Sequence, residues 1–229
     1  MAKFNLRELT VSGEDYLKAI YHLSEAGTPA TTTGIADALA LTAPSVSGMV
    51  KRLADAGLLE HLPYKGVTLT EAGRQAALQM LRRHRLIETF LVSFLGYRWD
   101  TVHDEAERLE HAVSDDLVER MALALGNPSV DPHGDPIPTA EGLLFQVPTS
   151  SLPAVPVGTT VTIVRVDSGS ADRLRWLAEA GLVPGAIVTV VAQQPFGGPI
   201  TLRLGELERI VGNDLALQLL CAPAGETAP

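Results

Sequence analysis

The sequence has one cysteine, Cys221, which excludes an internal disulfide and a thiolate metal cage; its apolar neighbours mark it as core filling. It has no run of about 18 apolar residues. The opening stretch, MAKFNLRELTVSGEDYLK, lacks the apolar core of a signal peptide. A cytoplasmic chain with no membrane partner is expected. No Gly-rich phosphate loop, nucleophile elbow or HExxH is present, so enzyme classes built on those motifs find no support. Internal repeats are absent too. A basic excess is also missing: the formal net charge is −9, the wrong sign for a protein that meets DNA, unless the acid is concentrated elsewhere.

It is concentrated. Residues 76–150 hold 12 Asp and Glu against 6 Lys and Arg, with four of the six histidines: His84, His103, His111 and His133. Residues 1–75 are near balance, 7 basic against 8 acidic. Carboxylates and imidazoles gathered in one segment are the donors that a divalent cation requires. A solvated acidic helix face has the same composition, so spacing must decide.

Three segments separate on pattern. Residues 1–73 read as short helices, a tight turn and two short strands; residues 74–140 carry two longer helical patterns ending near Leu125. Between 126 and 156 fall seven of the fifteen prolines, which disfavour regular structure and place a linker over 141–156. From 157 to 222, TVTIVRVD, AIVTVVAQ and ITLRLG are strand-length pieces, with a helix near Ala171–Ala180 stopped by Gly181. The fold class is mainly α with a small β part, the last segment forming a small barrel.

The first segment reads as a winged helix-turn-helix. Leu17, Ile20, Tyr21 and Leu23 give the first helix its apolar face, and Thr33 is placed as the cap of the second. Thr42 and Pro44 open a third, in which Val46, Val50 and Leu53 face the core. Ser45, Ser47, Gly48, Lys51 and Arg52 then point outward, small hydroxyls first and cations later, as a major-groove helix requires. Gly57 to Thr70 makes a strand–turn–strand with Lys65 at its tip. The candidate DNA contacts are Thr33, Thr42, Ala43, Pro44, Ser45, Ser47, Gly48, Lys51, Arg52 and Lys65. His22 and His61 read as structural or surface groups.

In VHDEAERLEH, at about 100° per residue, His103, Glu107, Glu110 and His111 fall within an arc of about 100°. They lie beside an apolar stripe of Ala106, Leu109, Val113 and Leu117 on one helix starting near Thr101. Upstream, His84 and Glu88 share a helix face at i, i+4, while Met80, Ile87, Leu91 and Phe94 pack. Two antiparallel helices thus offer six donors, enough for two cations; carboxylates beside a buried stripe are costly until a cation neutralises them.

RHRLIE, VHDEAERLEH, NPSVDPHGDPIP and the helix-turn-helix together resemble the diphtheria-toxin-repressor/MntR family over nearly the whole chain. The resemblance implies a homodimeric, metal-activated repressor of metal-uptake genes that binds double-stranded operator DNA. It also implies a C-terminal SH3-like (FeoA-type) barrel and about two ions per subunit. By position, Asp15, Glu107, Glu110 and His111 match the principal site, and His84, Glu88 and His103 the ancillary one. Asp172 stands where the family draws a further ligand from the barrel. Glu107 replaces the cysteine of iron-type members, and a hard oxygen there suits Mn²⁺, with Fe²⁺ as the alternative. Lys18 stands where two-domain manganese-type members carry a carboxylate, so their binuclear cluster is not expected. Two other readings compete: a winged-helix regulator with a structural metal site, and a di-metal hydrolase.

Overall fold

The computed structural model describes residues 9–25, 27–167 and 169–225. The chain forms two compact units, residues 1–83 with 138–144 and residues 84–137 with 145–229.

The first unit contains α1 (Val11–Ser24), α2 (Thr32–Ala38), α3 (Ala43–Asp55), β1 (Leu59–Leu62), β2 (Gly66–Leu69) and the start of α4 (Glu71–Leu95). Thr10 caps α1, its hydroxyl accepting the Gly13 N–H at 3.2 Å. The cap of α2 is Thr31, accepting from Gly34 at 3.0 Å, rather than the expected Thr33. Neighbouring threonines cap equally well, and the burial of Ile35 and Ala36 sets the register. Leu17, Ile20, Ile35, Val46, Val50, Leu53 and Leu58 form the core of this unit. The strands pair antiparallel from Leu59↔Leu69 to Leu62↔Gly66, and Ala30 exchanges two 2.9 Å backbone hydrogen bonds with Val67. Gly66 is needed there: at φ 121° a side chain would run into the Ala30 carbonyl.

The second unit begins in α4 and continues through α5 (Val102–Glu110) and α6 (Asp115–Ala124). The single helix expected from Thr101 through Leu117 is therefore two. Ser114 accepts the Leu117 N–H at 3.2 Å and Asp115 and Asp116 occupy the first turn, a start signal strong enough to break the pattern. Leu117 is consequently exposed, as is Phe94, which stacks on Phe90 at 5.0 Å rather than entering the core. Residues 126–137 are proline-rich and outside helices and named strands; Gly126, Asn127 and Ser129 are exposed, but from residue 131 on the stretch turns inward, with Asp131, His133 and Ile137 buried.

After them come β3 (Ser150–Ser151), a 3-10 turn (Leu152–Ala154), β4 (Thr160–Val166), α7 (Ala171–Ala180) and β5 (Ile187–Gln193). They are followed by β6 (Ile200–Leu204), β7 (Leu207–Val211), α8 (Asn213–Ala216) and β8 (Leu219–Pro223). The antiparallel sheet runs β3-β8-β4-β5-β6-β7, with bulges in the β4–β8 and β5–β6 pairings. Val161, Ile163, Val188, Val190, Leu202, Val211 and Leu219 make its core together with Leu174 and Leu177 of α7. Leu152 joins that core and β3 pairs with β8, so these residues belong to the sheet domain and not to the stretch before it. Gly181, at φ 76°, stops α7 where expected. Cys221 is core, and burial pushes its thiol up to about 12. No described helix is long and apolar enough to cross a membrane.

Candidate metal centre and nucleic-acid interface

The centre lies where α5 is drawn onto α4. Val102 and Ala106 are buried against Ile87 and Leu91, and the small Ala106 side chain allows close approach. The polar stripes of both helices adjoin that contact, which brings five donors together. Glu88 Oε1 lies 3.0 Å from His84 Nε2 and 3.1 Å from His103 Nδ1, and those two nitrogens are 3.2 Å apart. On its other side, His84 Nδ1 stands 2.5 Å from Glu110 Oε2 and 3.8 Å from Glu107 Oε1. Glu107 Oε1 is 3.7 Å from His103 Nε2, and His111 Nε2 is 3.5 Å from Glu110 Oε1. His84 therefore faces two groups at once, one through each ring nitrogen.

The electrostatics are those of a site that wants positive charge. Glu110 is 0 % exposed and Glu88 only 2 %, positions at which a lone carboxylate is very costly. Burial opposes charging His84, but hydrogen bonds to Glu110 and Glu88 and their charges prevail, raising its pKa from 6.5 to about 9. Burial likewise would raise Glu88, yet hydrogen bonds from His103, His133 and His84 hold it well below the usual carboxylate range. Behind it, burial, Asp135 and Glu88 push Asp131 up to about 7.

The donor set fits a divalent cation on geometric grounds. His84 Nε2, Glu88 Oε1 and His103 Nδ1 lie at 3.0, 3.1 and 3.2 Å from one another. Such spacing matches the roughly 3 Å edge of a coordination octahedron with bonds of about 2.1 Å. Protons satisfy this triangle poorly, because each ring nitrogen carries at most one and the two nitrogens face each other.

Six of the expected ligands (His84, Glu88, His103, Glu107, Glu110 and His111) thus stand on the facing sides of α4 and α5 or at the end of α5. Asp15 is half-buried on α1, in the first unit. Asp172 does not join them. Its side chain is 92 % exposed and pairs with Arg175 at 3.1 Å, one turn along α7, whose first turn faces solvent. Sequence reasoning missed the shell behind Glu88: Arg85, Asp131, His133 and Asp135 are buried or half-buried there, within DPHGD and one helical residue. An Asp and a His between prolines and a glycine was the available signal.

The expected nucleic-acid surface lies on α3 and the wing. Val46, Met49, Val50 and Leu53 are buried, leaving Ala43, Pro44, Ser45, Ser47, Gly48, Lys51 and Arg52 exposed. A side chain at Gly48 would meet nothing within 4 Å, so another molecule has close access there. Thr42 caps no backbone group; its hydroxyl pairs with Ser45 at 3.0 Å. Thr33 and Lys65 are exposed, and beside Lys65 the wing turn holds Tyr64 at φ 63°, fully exposed and unforeseen.

A winged helix, a pair of helices with a buried carboxylate–imidazole centre and a small antiparallel sheet domain define a three-part chain, and known proteins share all three parts. Residues 8–67 match the model of the iron dependent repressor N-terminal DNA binding domain, residues 70–139 that of the iron dependent repressor metal binding and dimerisation domain, and residues 151–223 that of the FeoA domain. The iron-dependent repressor IdeR of Mycobacterium tuberculosis is 36% identical over 212 residues, covering 86% of this chain and 90% of that protein. The diphtheria toxin repressor of Corynebacterium glutamicum is 32% identical over 202 residues, covering 82% and 87%. Among solved structures, a manganese-dependent transcriptional repressor in complex with manganese is 40% identical, covering 92% of this chain and 99% of that one, with a TM-score of 0.86. The chain belongs to the diphtheria-toxin-repressor/MntR family of iron- and manganese-dependent transcriptional repressors.

Proposed function

We propose that this chain represses transcription in the cytoplasm by binding operator DNA as a homodimer when Mn²⁺, or alternatively Fe²⁺, occupies two sites per subunit. The observation that carries the reading is the convergence of His84, Glu88 and His103 on one side of the His84 ring and of Glu107 and Glu110 on the other. His84, Glu88 and His103 would hold the ancillary ion. Glu107, Glu110 and His111 would hold the principal one, together with Asp15 as the family pattern implies. Bound there, the cation would supply two positive charges beside the buried Glu88 and Glu110 carboxylates.

The residues of the chain do the rest. Glu107 contributes an oxygen donor where a thiolate would favour softer metals, which tilts the preference to Mn²⁺. Ser45, Ser47 and Gly48 near the start of α3 allow approach to base edges, while Lys51, Arg52 and Lys65 neutralise phosphates. Phe94, Leu95, Leu117 and Leu123 are exposed apolar residues of α4 and α6 and supply the dimer face.

The test starts from a duplex recovered from a random-sequence pool with the Mn²⁺-loaded protein. Mn²⁺ titration should tighten binding to that duplex, Glu110→Ala should lose the response while keeping its helical content, and Asp15→Ala should bind Mn²⁺ more weakly. Equal DNA binding in excess chelator would remove metal activation from the account.

A further inference from the structure

The wing ends in a tyrosine that the fold does not need. The Lys65 N–H donates to the Leu62 carbonyl at 3.0 Å, closing a four-residue turn with Pro63 second and Tyr64 third. Tyr64 sits at φ 63°, the left-handed conformation that glycine or asparagine usually fills at the third position of a turn opened by proline. Its side chain buries nothing, being fully exposed. A bulky ring is thus held out into solvent on a backbone that disfavours it.

The tip is nevertheless firmly placed beside the reading helix. The Leu58 N–H donates to the Leu53 carbonyl of α3 at 2.9 Å, and the Thr70 hydroxyl donates to the Gly57 carbonyl at 2.7 Å. Leu58, Leu59 and Val67 share one core with Val46, Val50 and Leu53, so wing and α3 are held in a single body. Charge on this part of the chain is sparse. From Thr31 to Thr70 it has three basic residues (Lys51, Arg52 and Lys65) against three acidic ones (Asp37, Asp55 and Glu60). Phosphate neutralisation, the salt-dependent part of DNA affinity, is limited accordingly, which leaves more for uncharged contacts to supply.

We propose that Tyr64 determines specificity: the wing lays its ring in the minor groove flanking the major-groove segment that faces α3, where it favours A·T pairs over G·C. The proposal rests on the reading of α3 and the wing as the surface that meets operator DNA. A phenol suits that groove better than it suits a row of phosphates. Its ring face packs on deoxyribose, and its hydroxyl donates to adenine N3 or thymine O2 on the groove floor. The guanine 2-amino group rises from the same floor and obstructs both contacts.

The experiment uses the full-length, Mn²⁺-loaded protein and the duplex recovered from the random-sequence pool. The base pairs flanking its selected core are rebuilt as A·T, G·C or inosine·C. Inosine lacks the 2-amino group, so inosine·C resembles A·T in the minor groove and G·C in the major groove. The wild type should bind the A·T and inosine·C duplexes alike and the G·C duplex about fivefold or more weakly. Tyr64→Gly suits the positive φ of the turn and removes the ring. It should bind all three duplexes equally and more weakly than the wild type binds A·T, with the salt slope of log K unchanged because no phosphate contact is lost. A merely structural role for Tyr64 would leave the flank preference in place. Inosine·C behaving like G·C in the wild type, which needs no variant to fold, overturns the proposal. Equal wild-type binding to all three duplexes overturns it too, as does a wild-type preference retained in Tyr64→Gly, or a slope reduced by about 1 there, which marks a phosphate contact. If the pool yields no duplex, the DNA-reading surface itself falls, a result distinct from all of these.

Discussion

Replacing His84 by glutamine in the metal-free protein isolates the charge that the centre carries without a cation. In the wild type the His84 pKa rises from 6.5 to about 9, burial opposing the shift and the Glu110 and Glu88 hydrogen bonds producing it. A group raised above its unfolded value gives stability that is complete below about pH 6.5 and is lost as pH climbs through about 9. At 1.36 kcal/mol per pH unit the full loss is roughly 3 kcal/mol, and at about 2–4 °C per kcal/mol it lowers Tm by roughly 6–12 °C. His133, raised to about 8 against the cost of burial by Glu88 and Asp131, loses stability in the same direction. Asp131, raised to about 7, does so at lower pH. The wild-type curve therefore mixes three groups, and the variant separates them. His84→Gln keeps a donor for Glu110 but cannot charge, so it should be less stable at pH 6.5 and lose much less on going to pH 9. Thermal unfolding followed by circular dichroism in excess chelator measures both drops. Equal drops in the two proteins would refute the assignment of the charge to His84.

The same charge must leave when a cation binds, because a ligating imidazole is neutral. At pH 7.5, Mn²⁺ binding should release about one proton that His84→Gln does not, read by calorimetry in buffers of different ionisation enthalpy. Lys51→Ala should weaken DNA binding about equally across sequences and reduce the salt slope of log K by about 1, whereas an unchanged slope would take Lys51 off the phosphates. Gly134→Ala forces a side chain against the Val164 carbonyl at a positive φ and should cost about 2 kcal/mol or more, visible as a lower Tm. A neutral result there would mean that the loop can leave β4 without loss.

Much of the centre was legible because a helix turns spacing into a face. His84 and Glu88 at i, i+4, and His103, Glu107 and Glu110 at intervals of three and four, need only a regular helix to align. The structure sets all five on the facing sides of α4 and α5. The outward set of α3 and the strands of the sheet domain were legible for the same reason, with periods of 3.6 and 2. What local pattern handled poorly was punctuation. Three adjacent threonines left the α2 cap undecided between Thr31 and Thr33, and the Ser114 start signal was lost inside an apolar stripe that continued through it.

By itself the sequence determined which residues share a helix face, where acid and imidazole accumulate, and which family pattern they make. Tertiary structure alone decided partnership. Asp172 looked like the ligand that the sheet domain would supply, but α7 presents it to solvent beside Arg175, while His133, from a proline-rich loop without any period, stands behind Glu88. Contacts between a loop and a helix about 45 residues earlier depend on how several packed surfaces close together, and no local spacing encodes that closure.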